Sequence, residues 1–147
     1  MQFEGIGGPV AGLLTGLAFL LAHYLTGAPV LLWLAYITFF LNLFNLAPFF
    51  PLDGGWITGA ISPRIWLIGV VMLGVLVATG GLRNPLFILL LLLSLPRIWH
   101  GIKTGDSSPV GKEPATPRQK VGMGLAYLTL CGALAWLMAH THVPMQP

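Results

Sequence analysis

Asn45 and Asp53 carry the most chemistry in this chain, in the run Asn45-x-x-Pro48-x-x-Pro51-Leu52-Asp53-Gly54-Gly55. The run lies between two long apolar stretches. A carboxylate at membrane depth is costly, and by default it marks a functional site. Proline removes a backbone donor and blocks a helix interior, while glycine lets the chain turn or approach closely. The pattern predicts a helix that ends, a stretch of unwound backbone from Pro48 to Gly55, and a carboxylate presented there. Such backbone persists in a bilayer only where protein or a wet cavity covers it. A second reading stands beside this one: an interfacial loop whose Asp53 caps the next helix.

The elements that must hold these residues follow from composition. The chain has 147 residues, 56% of them hydrophobic and 7% charged, with a mean hydropathy of +0.84. Soluble domains carry about 25% charged residues, so the expectation is an all-α, polytopic protein of the cell membrane with about five transmembrane helices. The net charge of +3 is spread over loops and forms no basic face, which excludes nucleic acid as a partner. Met1-Gln2-Phe3-Glu4 lacks the basic start of a signal peptide.

The predicted spans run from about Gly8 to Leu25, Pro29 to Ala47, Ile65 to about Gly80, Leu86 through a kink at Pro96 to about Ile102, and Val121 to Thr141. At about 1.5 Å per residue the second comes to roughly 28 Å, close to the hydrocarbon thickness. Residues 1–61 form one unit, 62–102 two further spans, 103–120 a proline-rich cytoplasmic loop in which no helix is expected, and 121–147 a last span and tail. Arg97, Lys103, Lys112, Arg118 and Lys120 cluster in or beside that loop, so it faces the cytoplasm. Counting back over the spans puts Arg64, the Asp53 turn and the N-terminus on the same side.

Other residues read more plainly. Gly8, Gly12 and Gly16, four apart, make a small-residue face for close helix packing. Asn42 and Asn45 share a helix face and should point into protein, Asn42 in a structural role. Cys131 fills space in an apolar run. His23, His100, His140 and His142 read as polar interface residues, with metal ligation by His23 or the His140-x-His142 pair as the alternative.

The run from Asn45 to Gly55, with Phe39-Phe40-Leu41-Asn42-Leu43-Phe44 before it, resembles the motif of the site-2 protease family, zinc metalloproteases that cut within membranes. Gly5-Ile6-Gly7-Gly8-Pro9-Val10-Ala11-Gly12 is similar to the Gly-Pro start of that family's middle core helix. The likeness covers about the first sixty residues. It implies that Asp53 is the third protein ligand of a catalytic Zn2+, that Asn45 contacts the substrate or the oxyanion, and that Pro48 belongs to the substrate-binding segment. It also implies a transmembrane protein as substrate, and in that reading Gly54-Gly55 is the mouth for water. A catalytic zinc takes three protein ligands and an open water position, and a side-chain amide aimed at a developing oxyanion adds stabilisation.

The H-E-x-x-H helix that carries the other two ligands and the base does not occur in these 147 residues, and Trp56 stands where many relatives have a basic residue. The chain therefore resembles the C-terminal part of such a protease. It would be inactive by itself and completed by an H-E-x-x-H-bearing N-terminal segment or subunit. The alternatives are a non-catalytic membrane subunit or remnant and, from the broken helix with one carboxylate, a transporter or ion-path protein.

Overall fold

Long apolar runs punctuated by Pro and Gly fold here into six helices among the described residues: α1 (Glu4–Thr26), α2 (Pro29–Asn45), α3 (Asp53–Ile61), α4 (Ile65–Ala78), α5 (Pro85–Thr104) and α6 (Pro117–His140). The computed structural model describes residues 4–48, 50–80, 85–105 and 115–141. Arg83, Lys112, His142 and the loop residues 106–114 lie outside the described residues.

The all-α expectation holds: among the described residues there is no strand. Ile6–Thr26 and Pro117–His140 are long and apolar enough to cross a membrane. The expected second and third spans are the shorter apolar helices Pro29–Asn45 and Ile65–Ala78. The fourth is one continuous 20-residue helix through Pro96, with Arg97, His100 and Lys103 in its C-terminal half.

Pro29 opens α2 at its first position, where its missing N–H costs nothing. Residues expected as loop also open α6. Pro117 is its first residue, and Thr116 forms a reciprocal cap with Gln119, through bonds of 2.9 and 3.3 Å. The sequence reading took these prolines as forbidding a helix, but a proline in the first turn is favourable. The last span thus starts four residues earlier than expected, and α5 runs to Thr104.

α1 and α2 form an antiparallel hairpin, with Gly12 against Asn42 and Gly16 against the Phe39 ring. α6 packs across α2 and α3, and α4 pairs with α5 while touching α3. The core lies between α2, α3 and α6, built from Ala35, Phe39, Leu46, Ile57, Met123, Leu130 and Leu134. Outside it, Leu14, Leu21, Ile68, Val71, Leu125 and Leu128 are exposed on α1, α4 and α6, an amount of outward apolar surface that soluble monomers rarely show.

Candidate functional site

α2 ends at Asn45, three residues before Pro48, which restricts Ala47 and cannot continue a helix interior. The chain turns between Leu46 and Leu52, and α3 begins at Asp53. The break is therefore shorter than expected at its C-terminal end: Gly54 and Gly55 belong to α3 and are buried. They cannot serve as a mouth for water. Their small size is needed for contact instead. A Cβ on Gly54 would run into the backbone carbonyls of Leu46 and Ala47, with which the start of α3 makes close contact.

Asp53 does not cap α3. The cap position is Leu52, which makes no side-chain cap bond, and Asp53 is the first helical residue, where a negative charge suits the helix dipole. Its half-buried carboxylate turns back across the break. Asn45 Nδ2 donates to Asp53 Oδ2 at 2.6 Å. On the α1 side Gly8 faces the same oxygen, so closely that a Cβ on Gly8 would sit 2.7 Å from it. Three elements thus converge on one carboxylate: α1 through a bare backbone, α2 through its last residue and α3 through its first.

One turn further along the hairpin, Asn42 Nδ2 donates to the Pro9 carbonyl at 2.6 Å and is buried. The glycine face of α1 lets both amides reach their partners. Gly8, Gly12 and Gly16 meet Asp53, Asn42 and Phe39 in turn. The packing role expected for the glycines and the structural role expected for Asn42 are both realised. Pro48 lies half-buried in the turn.

Distant residues hold the turn in place. Tyr127 Oη, from α6, donates to the Leu46 carbonyl at 2.6 Å. The Trp66 indole, from α4, donates to the Gly55 carbonyl at 2.6 Å and packs on Gly59. Thr58 donates to the Gly54 carbonyl at 2.7 Å. Beside the turn, Phe50 and Trp56 meet edge to face at 5.1 Å, and the Arg97 guanidinium lies over both rings, at 5.0 and 4.4 Å. The sequence reading missed Tyr127, Trp66 and Arg97. The one available signal was Trp56: a basic residue was expected there, and a cation from α5 lies over its ring.

The histidines are elsewhere. His23 pairs through Nδ1 with the Ala28 carbonyl at 2.9 Å, fifteen residues along α1 from Gly8 and hence about 22 Å away. His140 pairs with the Trp136 carbonyl at 2.8 Å and lies over its indole; its expected companion His142 is outside the described residues. His100 is exposed and Cys131 half-buried. Among the described residues no group of three His, Cys, Asp or Glu side chains could hold a metal ion.

No family model, no curated protein and no solved structure matches this chain. Its function is argued from the site.

Proposed function

We propose that this chain is a multi-pass protein of the cell membrane and the C-terminal part of an intramembrane zinc metalloendopeptidase of the site-2 protease type. The observation that carries the reading is the direction of Asp53. Its carboxylate turns toward Asn45 and Gly8. A carboxylate with one oxygen held by an amide is how a metal ligand is oriented, since ligand carboxylates are themselves hydrogen-bonded.

The described residues fit one ligand of such a site and not a whole one. A catalytic zinc needs three protein ligands, and here Asp53 stands alone, so no reaction step is assigned to this chain by itself. In the proposed assembly an H-E-x-x-H segment supplies the two histidines and the base. Zinc, when bound, polarises the scissile carbonyl and acidifies the attacking water. This chain's residues orient Asp53 through Asn45, keep α1 close through Gly8, and offer substrate the irregular backbone around Pro48. An extended peptide needs such backbone, because a helical substrate must unwind before its carbonyl is reachable.

In the membrane, Gly8, Asn45, Asp53, Arg64, Arg97 and Lys120 lie toward the cytoplasmic side, where Lys and Arg accumulate. Arg97 reaches Trp56, and Arg64 and Lys120 line one pocket, which suits a single sidedness for these residues.

A non-catalytic membrane subunit is the second reading. It is favoured by the distance of the described histidines from Asp53, no three ligating side chains being grouped among the described residues, with the Asn45–Asp53 bond then serving as a purely structural latch. One measurement separates the two. The tagged protein is isolated from its native membrane with whatever accompanies it, and its metal content is determined. The protease reading expects about one zinc per complex, lost in Asp53→Ala; absence of zinc from the wild-type isolate sinks that reading and leaves the subunit.

A further inference from the structure

A pocket of about 220 Å³ opens where the α3–α4 turn, the end of α5 and the start of α6 meet. Ser62, Pro63 and Arg64 form one wall, Gly101 and Gly105 another, and Lys120 closes it. We propose that this pocket binds the phosphate of an anionic phospholipid headgroup, an inference that rests on the membrane reading above but not on the protease reading.

Arg64 and Lys120 are far apart in sequence and come from separate elements, yet both line this one cavity. Among the described residues neither forms an ion pair. Two cations lining one cavity favour an anion bound between them. The backbone N–H groups at the start of α4 are already engaged: Ile65, Trp66 and Leu67 donate to the carbonyls of Ser62, Pro63 and Arg64 at 3.1 to 3.2 Å. Anion recognition therefore falls to the side chains, with the positive end of the α4 dipole adding to them. Gly101 and Gly105 leave their wall without side chains, and Gly105 has φ +67° with open space where a Cβ would stand.

The surroundings select a lipid over a free ion. Ile61 and Ile102 line the same cavity, and exposed Leu67, Ile68 and Ile102 carry apolar surface away from it. Acyl chains would lie along α4 and α5 while the phosphate sits between the cations. One turn from the cavity, Lys103 lies over the exposed Trp99 ring at 4.9 Å, the aromatic and basic pairing of a membrane interface. Basic pockets between helices on the cytoplasmic side are a recognised form of headgroup site.

The test uses the full chain in phosphatidylcholine nanodiscs, with phosphatidylglycerol titrated in and bound lipid counted by native mass spectrometry. The wild type should retain phosphatidylglycerol over phosphatidylcholine, and inorganic phosphate added to an ionic strength of about 0.15 M should not displace it. Each cation near a charged surface is worth about fivefold, so Arg64→Gln should weaken retention about fivefold and the Arg64→Gln/Lys120→Gln pair about thirtyfold, with helix content by circular dichroism unchanged. Equal retention of both lipids, or a folded double variant that keeps phosphatidylglycerol as the wild type does, overturns the proposal. Displacement by inorganic phosphate would show a free-anion site and also overturn it. Failure of the wild type to enter nanodiscs would remove the membrane reading and this proposal with it. Zinc content, measured separately, bears on neither result.

Discussion

Asn45 and Asp53 are joined side chain to side chain across the break between α2 and α3, the amide nitrogen 2.6 Å from the carboxylate oxygen. The bond joins residues eight apart in sequence and fixes which way the carboxylate faces. Asn45→Ala removes the donor. Because Asp53 is only half-buried, water replaces part of the loss, and the expected destabilisation is about 1 kcal/mol. Asn45→Asp should cost more, since it sets two carboxylates against each other. Thermal unfolding in detergent orders the variants; an Asn45→Asp protein melting with the wild type would contradict the geometry.

The glycine face of α1 makes a graded prediction. A methyl on Gly8 meets Asp53 Oδ2, one on Gly12 meets the Asn42 amide at 2.6 Å, and one on Gly16 meets the Phe39 ring. Each alanine should destabilise by about 1–3 kcal/mol through overpacking. Gly7→Ala is the control, because nothing lies within 4 Å of its added carbon, and it should leave the midpoint unchanged or raise it. A Gly7→Ala loss equal to that of Gly12→Ala would show that helix flexibility, not contact, sets the effect.

The helix contacts across the turn can be tested one donor at a time. Tyr127→Phe deletes only the hydroxyl that reaches the Leu46 carbonyl and should cost about 1 kcal/mol. Trp66→Phe deletes the indole donor to Gly55 and also leaves a gap in a site where Trp66 is 1% exposed, so it should cost more, about 2–4 kcal/mol. Denaturant unfolding of the two variants and their double mutant should show coupling, since the Leu46 and Gly55 carbonyls belong to one packed elbow.

Arg97 over Phe50 and Trp56 should resist conservative replacement. Lysine keeps the charge but loses the flat guanidinium that stacks on rings. Arg97→Lys is therefore expected to lose about 0.5–1 kcal/mol, and Arg97→Ala more. A double-mutant cycle with Trp56→Leu measures the coupling directly, and a coupling of zero removes α5 from the support of this turn.

What could be read from the sequence followed its range along the chain. The three glycines and Asn42 were legible because a helix repeats its neighbours every four residues, so a face can be drawn from spacing alone. The pairing of Asn45 with Asp53 was within reach because a short loop keeps its ends close. Gly54 and Gly55 were misread as unwound because glycine serves open backbone and close approach equally, and only the Leu46 carbonyl against Gly54 decides between them. Tyr127 left no trace in the sequence, and Arg97 only the unexpected Trp56. Their partners lie 81 and about 40 residues away, and a tyrosine on an apolar helix or an arginine after a proline looks the same whether it faces a turn or water.

The contact of Gly54 with the Leu46 and Ala47 carbonyls, locked by Tyr127 on the other side, makes the bend between α2 and α3 a fixed elbow and not a hinge. The α4–α5 pair meets this elbow through side chains instead, with the Trp66 indole on the Gly55 carbonyl and on Gly59, and the Arg97 guanidinium over Phe50 and Trp56. Spin labels on α2 and α3 should therefore report one narrow separation, while a pair placed on α2 and α5 should report a broader one.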